Sequence, residues 1–285
     1  MTTVRVRGEV VRKFILDSLD KHPTDIVRIA AEKFGYSRQA IHKHVQRLID
    51  EGAITPDGKT RNKIYRLAPL VTWRKDYVLG AGITEDQAWR TDMAPYLHKL
   101  PENAINIWHY GFTEMFNNAI EHSGGTIISV ELKKTAVSTE VHIFDNGVGI
   151  FRKIQAALEL MDERHAVLEL AKGKFTTDPA NHSGEGIFFS SRMFDEFVIL
   201  SGGVYFSHEF DKLEDWICQP NTATVGTFVR MILHNHTTKI AKKVFDKFTS
   251  DDDYGSAIPA LLKNQLVRIL LWKEAGLMAH SISIY

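Results

Sequence analysis

Gly111-Phe112-Thr113-Glu114-Met115-Phe116-Asn117-Asn118-Ala119-Ile120-Glu121-His122 has the pattern of a helix with two unlike sides. At about 3.6 residues per turn, Glu114, Asn118, Glu121 and His122 share one face, while Phe112, Met115, Phe116, Ala119 and Ile120 cover the rest. Such a helix buries its apolar side and presents a carboxylate and an amide oxygen next to each other. Those are ligands a hard cation such as Mg²⁺ takes, in company with phosphates. Taken alone, the stretch also reads as a surface helix whose polar face is merely solvated.

Three later stretches change that reading. Val141-His142-Ile143-Phe144-Asp145-Asn146-Gly147-Val148-Gly149 is an alternating apolar strand running into an Asp and two glycines that admit close backbone approach. Asn181-His182-Ser183-Gly184-Glu185-Gly186-Ile187 places glycines ahead of a helix start, where free N–H groups suit phosphate oxygens. Gly226-Thr227 opens the apolar strand Phe228–Leu233. A single Gly-x-Gly is a weak signal; these pieces in this order are a strong one.

Together they resemble the nucleotide-binding domain shared by DNA gyrase, heat-shock chaperones, sensor histidine kinases and MutL, the GHKL superfamily. Its first motif, Glu-x-x-x-Asn-Ala with a further polar residue, is matched by Glu114, Asn118, Ala119 and His122. Asp145, Gly147 and Gly149 match the second, Gly184 and Gly186 the third, and Gly226 and Thr227 the closing Gly-Thr. The resemblance covers roughly residues 85–235. It implies ATP bound with Mg²⁺: Asn118 coordinates the metal and Asp145 bonds the adenine amino group. His122, Thr227 and the glycines complete the nucleotide site under a mobile lid over 151–182. Glu114 stands where ATP-hydrolysing members keep the base that activates water. The third motif lacks the longer glycine run of many kinases.

At 285 residues and 44% hydrophobic content the chain can bury substantial cores, and its length fits about two domains. One cysteine, Cys218, excludes an internal disulfide framework and a cysteine-rich metal site. The opening Met1-Thr2-Thr3-Val4-Arg5-Val6-Arg7 builds no signal-peptide core, and no apolar run is long enough to span a bilayer. The expectation is a cytoplasmic protein with no membrane partner. Net charge is zero, but residues 1–70 carry 14 Lys and Arg against 8 Asp and Glu, and the remainder reverses that excess. A basic module joined to an acidic one points the first toward a polyanion.

In that module Val10, Val11, Phe14, Ile15 and Leu19 give a first amphipathic helix. Thr24 is placed to cap a second, Gly35 breaks it, and Ser37 caps a third that buries Ile41, Val45, Leu48 and Ile49. Arg38, Gln39, His42, Lys43 and Gln46 face outward, donors suited to phosphates and base edges. A hairpin follows, turning at Asp57-Gly58 and carrying Lys59, Arg61 and Lys63. Over roughly residues 6–68 this resembles the winged helix-turn-helix of bacterial transcription regulators, which implies double-stranded DNA as partner. A winged helix docking protein is the alternative.

Residues 69–83 read as a linker or an extended edge piece, and 84–99 as a helix. Strands are expected at Thr126–Lys133 and Thr139–Phe144, at Glu196–Leu200, at Val204–Phe210 and at Thr224–Leu233; Lys153–Lys172 is expected to be helical. The pattern gives an α+β fold with an α/β sandwich, and the resemblances imply a winged helix-turn-helix (1–68) joined to a sandwich of the Bergerat type (84–236). The tail, 237–285, reads as helices at Lys239–Phe248 and Ala257–Met278, with a faint likeness near Val244–Ser250 to the entry of a bacterial STAS-like domain. His234 and His236 have no third ligand nearby and read as solvated.

These features describe a transcriptional regulator in which Mg-ATP binding or hydrolysis modulates DNA binding, with a homodimer as one way to set half-site spacing. The alternative is a protein kinase resembling the anti-sigma-factor serine kinases, acting on a partner protein. A sensor histidine kinase would need long phosphoacceptor helices before the ATP domain, for which residues 69–100 are too short. A topoisomerase or mismatch-repair motor would need a transducer domain after it.

Overall fold

The structure, a computed structural model, describes residues 2–58, 63–171, 186–209, 216–218, 224–248 and 268–270. Its N-terminal module is α1 (Thr2–Ser18), α2 (Ile26–Phe34), α3 (Arg38–Asp50) and an antiparallel hairpin of β1 (Ile54–Asp57) and β2 (Ile64–Leu67). Gly35 ends α2 in the left-handed conformation (φ 65°) with its N–H on the Ala31 carbonyl. Ser37 then starts α3 two residues later, its hydroxyl accepting from Ala40 N at 3.2 Å. This is the short turn the sequence foretells. Two local expectations fail. Asp25, not Thr24, precedes α2, and its carboxylate joins His22 and Arg28 instead of capping. The hairpin register Asp57↔Ile64 leaves residues 58–63 as the connection, longer than a tight Asp57-Gly58 turn. Val11, Ile15 and Leu19, Ile26 and Ala30, Ile41, Val45 and Leu48 converge with Ile54 and Tyr65 into one core.

Residues 71–78, read as linker or edge piece, form β3 (Val71–Val78), the edge strand of an eight-stranded sheet. Three residues separate it from β2. Ala68 N donates to the Ala53 carbonyl at 2.9 Å and Leu70 N to the Lys134 carbonyl at 2.7 Å, so the crossing is hydrogen-bonded on both sides. Ala136, in the turn between β4 (Ile127–Lys134) and β5 (Ser138–Asp145), packs against the helical core of the first module.

With β6 (Glu196–Gly202), β7 (Val204–Glu209), β8 (Trp216–Cys218), β9 (Thr224–His234) and β10 (Arg268–Leu270), the sheet runs β10-β8-β7-β6-β9-β5-β4-β3. All neighbours pair antiparallel except β10 with β8. β10 corrects the expected helix Ala257–Met278, the rest of which lies outside the described residues. β8 was not foreseen; three residues are too few for a period.

β5 alternates cleanly. Thr139, Val141, Ile143 and Asp145 are buried, while Glu140, His142 and Phe144 look outward. The inner side is covered by α6 (Glu102–His122), which buries Ala104, Ile107, Trp108, Phe112, Met115, Phe116 and Ala119 at helical spacing. Phe112 and Phe116 stack at 5.3 Å between centroids, and Gly111 lies flat against the Phe194 ring, which leaves no room for a Cβ. Residues 84–99 are helical as expected but pass through a π turn (Trp89–Met93) between α4 (Glu85–Ala88) and α5 (Ala94–Leu97). The expected single helix Lys153–Lys172 is instead α7 (Ile150–Ala157) and α8 (Glu163–Ala171), broken where Glu159 takes φ 53°. α9 (Gly186–Met193) and α10 (Ala241–Phe248) complete the layer, with Val244 and Phe245 packed on the core. The fold is mixed α+β. No helix among the described residues is long and apolar enough to cross a membrane.

Candidate functional site

The strongest conjunction of sequence signals meets at the C-terminal half of α6, the end of β5 and the start of β9. Asn118 and His122, one turn apart on α6, line a pocket with Asp145, Thr227 and Lys153. The rest of its lining is Ser123 and the apolar Met115, Ala119, Ile143, Ile150, Ile187, Ile199 and Val229. Aliphatic surfaces with a few convergent polar groups make this the candidate ligand site.

Asp145 is the buried polar group at its base, 4% exposed. Burial pushes its carboxyl above the ordinary carboxylate range. Hydrogen bonds from the Gly147 N–H (2.9 Å) and from the backbone and hydroxyl of Thr227 pull the other way without cancelling it. Thr227 is its cross-strand partner in the β5–β9 register, and the Thr227 hydroxyl also accepts from Ile150 N at 3.0 Å. Among the described residues no Lys or Arg pairs with Asp145. It is a carboxylate built into the interior with acceptor capacity directed at the pocket.

The glycines explain themselves by contact. Gly226 has φ 80° and touches the Asp145 carbonyl so closely that a Cβ would overlap it. Gly147 meets the Ser123 carbonyl in the same way, where Val148 N also bonds at 2.9 Å. Gly149 (φ 96°) is the cap from which α7 departs. Glu114, one turn before Asn118, lies with its carboxylate against Gly186 at the start of α9. Glu121 is exposed and leaves the shared polar face toward solvent, 3.9 Å from His122. Gly184 and the last part of the expected lid, 172–182, lie outside the described residues, as do Lys59 and Arg61.

Sequence reading missed Lys153, Ser123 and Ser201. Ser201 reaches the site through strand register alone, opposite Thr227, its hydroxyl donating to the Gly226 carbonyl at 3.0 Å. No local pattern could have found it. Lys153 had a signal: it lies in the first turn after a glycine-started helix.

On the N-terminal module Arg38, Gln39, His42, Lys43 and Gln46 are all exposed along α3, as the pattern required. Gln39, His42, Lys43 and Gln46 border a shallow groove completed by Lys63 and Tyr65 of the hairpin. Gln46 donates to Asp50 at 2.8 Å. Among the described residues no His, Cys, Asp and Glu cluster has the makings of a metal site, His234 and His236 included. No family model matches the chain, and the comparison with curated proteins found no match.

Proposed function

We propose that the chain is an ATP- and DNA-binding regulator, a winged helix-turn-helix joined to a GHKL-type nucleotide-binding domain of the Bergerat fold. The observation that carries this reading is Asp145, a buried carboxylate with no cationic partner among the described residues, at the base of an aliphatic pocket. Such a group stays in the interior when a donor arrives to satisfy it, and an adenine amino group is a donor of the right shape. Asn118 supplies an amide oxygen one turn from Glu114, on the side where phosphates and a magnesium ion would lie. Bound magnesium would neutralise phosphate charge and orient the terminal phosphate. Glu114 is the candidate base if water attacks that phosphate. The exposed donors of α3, with the excess of basic residues over 1–70, favour the DNA backbone and major groove.

Coupling follows from the architecture. The DNA module is spliced to the sheet through residues 68–70, and Ala136 of the sheet touches its core. A nucleotide that reshapes the sheet-side pocket should therefore alter DNA affinity, and DNA should alter nucleotide affinity by the same factor, typically about 5- to 150-fold. The test is DNA affinity measured without nucleotide, with ADP and with a non-hydrolysable ATP analogue, at fixed salt and free Mg²⁺. Three superimposable curves would leave two domains that are merely tethered.

A further inference from the structure

Resting on the nucleotide reading above, we propose that Lys153 holds the phosphate nearest the ribose of the bound nucleotide. Phe151 and Ile154 anchor α7 in the core, and Arg152 turns outward to Glu163 at 3.2 Å. The remaining direction takes Lys153 into the pocket, half-buried beside Asn118 and Asp145. It is the only Lys or Arg among the pocket's described lining residues. Its ammonium donates to the His122 carbonyl at 2.9 Å, and no carboxylate pairs with it among the described residues.

A cation at the end of α6 is favourable there, since the last carbonyls of a helix are unsatisfied. One carbonyl nevertheless engages one of three ammonium donors and supplies no counter-charge to a half-desolvated cation. An anion entering the pocket supplies it. Lysine binds phosphate as a point charge that its flexible stem can steer, so the existing bond need not break.

Position selects which phosphate. Glu114, Asn118 and His122 follow one another along α6 at intervals of about 6 Å of axis. If the metal lies at Asn118 and the terminal phosphate near Glu114 and Gly186, Lys153 is at the far end of that row. It is bonded to the last residue of the helix, on the side of the base pocket. The phosphate within its reach is the first.

The experiment is a ligand ladder: dissociation constants for adenosine, AMP, ADP and ATP with Mg²⁺, by titration calorimetry. It compares the intact chain with Lys153→Met and Lys153→Arg. The Met variant should weaken AMP, ADP and ATP alike, by about ten- to hundredfold for one lost charge-assisted bond. Adenosine should be unchanged, and the Arg variant should keep most of the affinity. A loss confined to ATP would put the contact on the terminal phosphate and overturn the assignment. Weakening of adenosine as well, or a lowered melting temperature without a nucleotide effect, would make Lys153 a helix-capping residue. If the unmodified chain binds none of the four ligands, the nucleotide reading itself fails, a result reached before any variant is made.

Discussion

Glu140 and Asp145 lie on the same strand, five residues apart, and face opposite sides of the sheet. Glu140 looks outward. Burial would raise its carboxyl, but bonds from His142 (2.8 Å) and Arg230 (2.5 Å) overcome that and hold it down to about 2. Arg230 continues to Glu196 at 2.9 Å, and Glu131 pairs with Arg74 at 2.8 Å, so charges alternate across the outer face. Asp145 looks inward, meets only neutral donors among the described residues and has its pKa raised by burial. A carboxylate surrounded by cations is part of the scaffold, whereas one buried with neutral donors alone is a candidate for a functional site. That contrast separates structure from site more sharply than any motif does.

The comparison breaks if exchanging the two roles has no consequence. Asp145→Asn should weaken Mg-ATP by about a hundredfold or more, because an amide offers its NH₂ where the adenine amino group needs an acceptor. The same change should leave the melting temperature at pH 7 unlowered, since it removes a buried charge. Glu140→Gln should do the reverse: ATP affinity within about twofold and stability lower by about 1–3 kcal/mol, because Arg230 loses a charged acceptor in a half-buried position. Calorimetric titration and denaturant melts of both variants decide it.

Gly226→Ala tests the scaffold beneath the site. A side chain there meets the Asp145 carbonyl at a positive φ, and a loss of about 2–4 kcal/mol is expected. Gly203→Ala, with nothing nearby and an ordinary φ, is the matched control and should change stability little.

Acid sharpens the comparison further. Glu140 has its pKa depressed on folding, so its contribution is complete above the ordinary carboxylate value of 4.5 and is lost as pH falls toward about 2. Asp145 has its pKa raised, so its ionised form subtracts from stability at neutral pH, and that deficit fades on acidification. The gap between wild type and Glu140→Gln should therefore close as pH falls through that window. Any advantage of Asp145→Asn should also shrink as Asp145 takes up its proton. Denaturant midpoints from pH 7 to 3 would show both trends or exclude them.

Smallest in energy is the exposed face of α3. Arg38→Ala with Lys43→Ala should leave stability and ATP affinity unchanged while weakening DNA binding several-fold, with a shallower salt dependence. No measurable DNA binding by the wild type at low salt would point instead to a protein-docking winged helix.

How much of this the sequence revealed depended on the range of the interaction. α3, α6 and β5 were legible because period, caps and burial agree within a dozen residues, as with Gly35-Tyr36-Ser37 between two helices. The motifs around Asn118, Asp145, Gly147 and Gly149 were legible because their spacing is local, and the structure brings Asn118 and Asp145 to one pocket. The inward placement of Lys153 was hidden, since it depends on how α7 meets α6. Ser201 was hidden because only the β6–β9 register brings it to Thr227. β3 was misread in part because its Trp73, Arg74, Lys75 and Asp76 mix charge with aromatic surface, as an edge strand does when it must discourage further pairing. β10 was missed because an apolar run beside Leu261 and Leu266 mimics a helix.

The short splice at Ala68, Pro69 and Leu70 leaves the two modules almost no slack. Its flanking amides are committed in opposite directions, one to the helical module and one to the sheet, and Pro69 has φ fixed by its ring. A loose tether would let the N-terminal module tumble and sample many orientations. A joint this short, bonded on both sides, would instead carry any tilt of the sheet edge to α3. Lengthening the splice with a few glycines would then uncouple the motion without disturbing either core.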